Sequence, residues 1–239
     1  MTETIHLQPT TALAPRVLLP GDPGRALRLA QGLLERPVMF NHNRGLWGYT
    51  GTAADGGQLT VQSTGMGGPS AAIVIAELAD LGAQQLLRVG TCGALNPELA
   101  LGDLLVATGA IAADGTSRAL GATGTVRPDE ELLGALVSAG DEHVHAGPVV
   151  STDLFYDGPE DEERDWIAEG AVAVEMETAT LFALAQRRGL QAAALLLVSD
   201  LLRRGRTRIP ADELLAGEHR LGELAVRALS AASEPSRAG

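Results

Sequence analysis

The chain has 239 residues, 45% of them hydrophobic but only 3% aromatic, so Ala, Leu and Val must fill its core. A net charge of −12 excludes a general nucleic-acid or membrane-surface role and makes any small-anion site a local exception, built from particular arginines and backbone amides. A single cysteine, Cys92, excludes a disulfide framework and fits a reducing cytosol, and no apolar run approaches the ~18 residues of a membrane span.

The opening stretch "MTETIHLQPTTALAP" has neither a basic start nor an apolar run, so no signal peptide is expected and a cytoplasmic location is. Short apolar strands then alternate with Ala-rich helical patterns. Strands are expected at 16–20, 58–64, 85–90, 102–112, 171–176 and 191–200, with helices at about 24–34, 68–83, 129–139, 160–169, 178–189 and 211–232. Such alternation predicts a largely parallel sheet flanked by helices, and no linker divides the chain, so one α/β domain is expected. The last residues, 232–239, read as a frayed tail.

Ligands of such sheets collect beyond the carboxyl ends of the strands, so polar residues there carry the information. In "LLPGDPGRALRLA", Gly21 lets the backbone approach a ligand, Pro23 stiffens the turn, and Arg25 adds a fork of donors suited to phosphate; a tight turn with a surface arginine reads equally well. The glycine-rich turn "QSTGMGGPSAA" fits close helix packing as well as ligand approach. "LLRVGTCGA" sets Arg88 in an apolar strand, ahead of the Thr91 hydroxyl and the turn-forming Gly90 and Gly93. A lone charge there needs a partner, either an anion or a structural carboxylate. Cys92 reads as a small core residue, not a nucleophile. "AVAVEMETATLFALA" runs a strand into Glu175-Met176-Glu177 and then a helix. Carboxylates bind vicinal hydroxyls and Met offers an apolar surface under a sugar ring, although one acid could simply cap the helix. Ser199-Asp200 ends the apolar run "AAALLLVSD" in a similar way. "PEDEERDW" reads as a solvated helix start, His143 and His145 lack a third metal ligand, and "RRGRTR" is too short a basic run for nucleic acid.

In order and spacing, "PGDPGRA", "NRGLWGYTG", "STGMGGPS", "RVGTCGA", "VEMETA" and "VSD" resemble the trimeric/hexameric branch of the nucleoside phosphorylase family, over roughly residues 6–200. That branch contains bacterial purine nucleoside phosphorylases and uridine phosphorylases. The resemblance implies a single-domain three-layer α/β/α fold with a mixed, largely parallel central sheet. It implies phosphorolysis of a nucleoside to free base and ribose 1-phosphate, with inorganic phosphate as co-substrate and no cofactor or metal. By position, Gly21, Arg25, Arg88 and Thr91 match the phosphate site, and Arg44 matches an arginine lent by the adjacent subunit. Met176 and Glu177 match the ribose-binding pair, with Glu175 beside them, and His6 matches the histidine that reaches a neighbour's ribose 5′-hydroxyl. Phe155 matches the aromatic against the base, and Asp200, next to Ser199, matches the acid that protonates a purine at N7. The implied assembly is a hexamer, a trimer of dimers. An arginine that assists the acid in hexameric purine enzymes has no clear counterpart among Arg203, Arg204, Arg206 and Arg208.

A purine nucleoside phosphorylase is the reading favoured by an acid at position 200, which serves 6-oxo and 6-amino bases alike. A uridine phosphorylase would carry an arginine there and a Gln-x-Arg after Phe155-Tyr156, and "FYDGPEDEERDW" has no glutamine; yet "STGMGGPSAAIVIAELADLGA" is very close to uridine phosphorylase sequences. A nucleosidase would dispense with Arg25, Arg44 and Arg88, and a non-catalytic nucleoside binder would show affinity without phosphate-dependent turnover.

Overall fold

The structure, a computed structural model, describes residues 4–159, 161–202 and 205–233. Its strands are β1 (Arg16–Leu19), β2 (Glu35–Asn41), β3 (Gly48–Thr52), β4 (Gln58–Gln62), β5 (Gln85–Ala94), β6 (Leu104–Ala112), β7 (Thr125–Val126), β8 (Val144–Ser151), β9 (Ala173–Glu175), β10 (Gln191–Leu201) and β11 (Thr207–Arg208). The helices are α1 (Pro23–Leu33), α2 (Gly68–Asp80), α3 (Gly115–Ala119), α4 (Glu130–Ala139), α5 (Glu162–Ala168), α6 (Thr178–Arg188) and α7 (Ala211–Ser233).

Strand β10 shows how the layers arise. Ala192, Ala194, Leu196 and Val198 join one apolar cluster, whereas Ala193, Leu195 and Leu197 join another. Successive strand side chains point to opposite faces, so an unbroken apolar run requires cover on both. Val74, Ile75 and Leu78 of α2 and Leu181, Phe182 and Leu184 of α6 supply it on one face. Residues of α1, α4 and α7, among them Leu29, Leu132, Leu221 and Leu229, supply it on the other. The result is the mixed α/β fold expected, with helices on either side of the sheet.

Strands β4, β1, β5 and β10 form one parallel set, and β6, β8 and β9 form another. Antiparallel ladders β10–β6 and β5–β9 join the two sets, so β5, β10, β6, β8 and β9 close into a ring. The other antiparallel ladders come with strands that the alternation does not reveal. Strand β2 contains Pro37 and is largely exposed, since it pairs only with β3 at the sheet's end. Strand β8, "VHAGPVVS", breaks its pattern with Gly147 and Pro148; Pro148 sits at a bulge opposite Gly109. The strand expected at 85–90 runs on through Gly90 and Gly93 to Ala94, so these glycines do not form the expected turn. The tail expected at 232–239 falls, from residue 234, outside the described residues.

A three-membered contact ties the sheet to α7. Arg16, opening β1, pairs with Asp55 of the β3–β4 turn at 2.5 Å, and Asp55 also accepts from Ser230 Oγ of α7. The Arg16 guanidinium holds the Asp55 carboxyl well below the usual carboxylate range, with Ser230 and the Gly57 amide contributing. A depressed folded-state value means stability that is fully present above the unfolded carboxylate value of about 3.9 and lost as pH falls through the folded one. Asp55→Asn should therefore lower Tm at pH 7, and its gap from wild type should shrink steadily as pH falls below about 4. A gap that stays constant with pH in thermal melts would contradict this.

Candidate active site

Strands β1, β5 and β10 are parallel neighbours, so their carboxyl ends open on the same side of the sheet. A cavity of about 600 Å³ lies there. Its wall brings together Gly21 from the β1–α1 turn, Arg25 from the first turn of α1, Arg88 and Thr91 from β5, and Glu175, Met176 and Glu177 from the β9–α6 junction. Phe155, from the segment after β8, and Ser199 and Asp200 of β10 complete it. Two of the residues singled out in the sequence, His6 and Arg44, are not on this wall. Arg44 is exposed and holds a left-handed backbone (φ 57°) in the turn between β2 and β3. His6 is anchored through Nδ1 to Glu77 at 2.7 Å, and Glu77 also accepts from the backbone N–H groups of residues 5–7.

At one end of the cavity Asp22 caps α1, accepting from the amides of Gly24 and Arg25 at 3.0 and 2.8 Å. Gly21 is squeezed there, since a Cβ on it would stand 3.1 Å from the Gly65 carbonyl. Arg25 is buried and gives its Nε–H to Glu218 of α7 at 2.8 Å; the same carboxylate takes Arg28. Glu218 was missed in the sequence. The signal was available: it falls on the apolar stripe of α7, between Leu214 and Leu221, where an unpaired carboxylate would be costly.

Arg88 has carboxylate partners. Its Nε donates to Glu175 at 3.0 Å and its Nη2 lies 2.5 Å from Glu177. Burial alone would lower the guanidinium's pKa, but the Glu177 and Glu175 charges outweigh it and the net shift is upward. Nη1 has no protein acceptor among the described residues, and the side chain lines the cavity. Gly90 makes this possible: a Cβ there would sit 2.7 Å from Arg88 Cζ, so any other residue would push the guanidinium away.

Glu175 differs from the hydroxyl-binding group expected of it. Its side chain is completely enclosed. It accepts from Arg88, from the amides of Glu177 and Thr178 at the start of α6, and from Ser151 Oγ. It thus caps the helix and neutralises an arginine at once. Glu177 accepts from the Gly67 amide at 2.6 Å as well as meeting Arg88. Burial pushes the Glu177 carboxyl up, against the opposing pull of Arg88. Gly67 has φ 82°, a conformation that favours glycine, so the glycine-rich turn serves a specific hydrogen bond as well as helix packing.

Opposite, a bulge in the β5–β10 ladder sets Val198 against Cys92 and Asp200 against Gly93, leaving Ser199 as the extra residue. Bulges re-aim side chains next to binding sites. Asp200 Oδ2 accepts from Ser199 Oγ at 2.7 Å, whereas the buried Oδ1 has no hydrogen-bond partner among the described residues. Two arginines face Oδ1, Arg208 at 3.3 Å and Arg206 at 3.8 Å, and Arg206 also lies 4.1 Å over the Phe155 ring. Arg203 and Arg204 lie outside the described residues. The Cys92 thiol is pushed up by burial, reinforced by the Glu175 charge, which keeps it a neutral core group.

The sequence profile described as the phosphorylase superfamily matches residues 15–232. A guanosine phosphorylase of Halorubrum lacusprofundi is 43% identical over 185 residues, 76% of this chain and 76% of its own. A DeoD-type purine nucleoside phosphorylase of Roseobacter denitrificans is 36% identical over 236 residues, 96% of this chain and 99% of its own. Among solved structures, a uridine phosphorylase from Vibrio fischeri, complexed with 6-hydroxy-1-naphthoic acid, superposes with a TM-score of 0.81 at 29% identity, over 91% of this chain and 92% of that one.

The arrangement around Glu175 makes a stability prediction. Glu175→Gln keeps the size but sets an NH₂ donor among donors and leaves Arg88 with Glu177 as its one carboxylate partner among the described residues. Its unfolding free energy in urea should fall by about 3 kcal/mol, the range for breaking a buried ion pair. Unchanged unfolding with only weaker ligand binding would mean that Glu175 serves a ligand and not the fold.

Proposed function

The chain belongs to the phosphorylase superfamily, and from that premise we propose that it is a purine nucleoside phosphorylase. The reaction is the reversible phosphorolysis of purine ribo- or deoxyribonucleosides to free base and pentose 1-phosphate, with inorganic phosphate as co-substrate and no cofactor. The observation that carries this reading is Asp200, aimed by the bulge into the cavity that Arg25 enters from α1 and Arg88 from the neighbouring strand β5.

In this reading phosphate takes the remaining N–H groups of Arg25 and Arg88, the Thr91 hydroxyl and the backbone at Gly21. Met176 supports the ribose ring, and Glu177 binds its hydroxyls. The base lies against Phe155 beside Ser199 and Asp200. Cleaving the N-glycosidic bond builds positive charge on the ribose as the base departs. A phosphate dianion fixed on one face stabilises that charge and then bonds to the anomeric carbon, an advantage of proximity and orientation. Asp200 gives its proton to the leaving purine at N7, so that the base departs neutral.

Arg44 and His6 belong in this scheme to the neighbouring subunit's pocket, within a hexamer arranged as a trimer of dimers. Their positions support it: both lie off their own cavity wall, and Arg44 is held exposed in an uncommon backbone conformation. A role in purine salvage in the cytoplasm accords with the reaction. Uridine phosphorolysis is the second reading, drawing on the fold shared with the Vibrio fischeri enzyme; uracil has no N7, and that reading leaves Asp200 without a proton to give.

One set of variants tests acid and assembly together. Asp200→Asn should lower kcat for inosine by roughly 10²–10⁴-fold, the usual worth of general acid catalysis, with a much smaller change in KM. The loss should shrink on 7-methylguanosine, whose base already carries positive charge. Arg44→Ala should be impaired alone, yet mixing it with Asp200→Asn under subunit exchange should restore part of the activity, because some pockets then combine an intact acid with an intact neighbour. Equal losses on both nucleosides would make Asp200 a positioning group, uridine turnover far above any purine nucleoside would overturn the substrate, and mixing without recovery would contradict the shared pocket.

A further inference from the structure

We infer that the pocket selects purines bearing an oxygen at C6 over those bearing an amino group, and that Arg206 makes the selection. This rests on the phosphorolysis reading above and deepens it. Asp200 alone does not discriminate, because a carboxyl group offers both a donor and an acceptor when protonated and acceptors when ionised. Its surroundings do. Oδ2 is engaged by Ser199, and buried Oδ1 is faced by the Nε atoms of Arg208 and Arg206 at 3.3 and 3.8 Å. Arg206 at the same time lies 4.1 Å over the ring of Phe155, which lines the same cavity. The flank of Phe155 beside Asp200 is therefore furnished with guanidinium N–H groups, which donate and never accept.

On the purine edge that carries N7, a 6-oxo base presents two adjacent acceptors, N7 and O6, whereas a 6-amino base presents an acceptor followed by a donor. With Asp200 at N7, the next substituent along that edge is the one at C6, and the neighbouring protein group is Arg206. An oxygen there receives a charge-assisted hydrogen bond. An amino group sets N–H against N–H and forfeits that bond. Between the two arginines, Arg206 is the better placed. Its side chain is 33% exposed against 69% for Arg208, and its planar fork is already held by the Phe155 face. Arg208, the closer to Oδ1, orients the acid.

The test measures kcat/KM for inosine, guanosine and adenosine at saturating phosphate, in wild type and in Arg206→Met. Wild type should favour inosine and guanosine over adenosine by about 10- to 100-fold, the usual worth of a hydrogen bond to a charged group. Arg206→Met should bring that ratio to within roughly threefold, through loss on the 6-oxo substrates, while the KM for phosphate stays as in wild type. Arg206→Lys, a point-charge donor without the fork, should keep part of the preference. Wild-type turnover of adenosine as efficient as that of inosine would overturn the inference, as would an Arg206→Met variant that loses the same factor on both. Either result leaves phosphorolysis itself standing. Wild-type inactivity on all three nucleosides with phosphate would instead refute the functional reading, and this inference with it.

Discussion

A positive charge buried near the end of a core strand constrains everything around it. Arg88 cannot stay on β5 without counter-charge, and Glu175 and Glu177 supply it from the β9–α6 junction. Glu175 then does more than neutralise: it accepts from the first amides of α6 and from Ser151 at the end of β8. One carboxylate thus fixes β5, β8, β9 and α6 relative to one another at the carboxyl ends of the strands. The glycine two residues beyond Arg88 follows from the same requirement, because only there can the guanidinium fold back against its own strand.

The second cavity arginine repeats the arrangement on the opposite face of the sheet. Arg25 is held at Nε by Glu218, itself buried on α7, and that carboxylate also takes Arg28. A guanidinium gripped along one edge has lost most of its rotamer freedom before any ligand arrives, and its remaining donors point where the fold sends them. This reconciles a strongly acidic chain with an anion-binding proposal. The net charge of −12 is spread over the molecule, whereas the two arginines are local and oriented, each held at Nε by a carboxylate. Asp200 occupies the far side for a backbone reason, the extra residue at Ser199 that breaks the β5–β10 register.

The core strands were legible because their side chains face helices on both sides. "AAALLLV" reads as a doubly covered strand, and its residues do divide between the two apolar clusters. Strands β2 and β8 were not legible: one is an exposed edge carrying Pro37, and the other is interrupted by Gly147 and Pro148 at a bulge, so neither displays a period. The strand-end residues gathered by the cavity were found because polar groups stood out against apolar runs. Their division of labour was hidden. Nothing in "VEMETA" tells that the first glutamate turns inward to cap a helix while the second faces the cavity, since that depends on where Arg88 and the Gly67 amide arrive from distant parts of the chain. Glu218 and Arg206 likewise gain meaning only from their partners, Arg25 and Phe155.

The central claim is that oriented arginines hold a phosphate that becomes bonded to the sugar. The most direct measurement is ³¹P NMR of the enzyme with inosine and inorganic phosphate, run beside a sample without phosphate. The account predicts a pentose 1-phosphate signal growing in equal amount with free hypoxanthine, and no base release when phosphate is withheld. Release of hypoxanthine with free ribose, at a rate indifferent to phosphate, would contradict it.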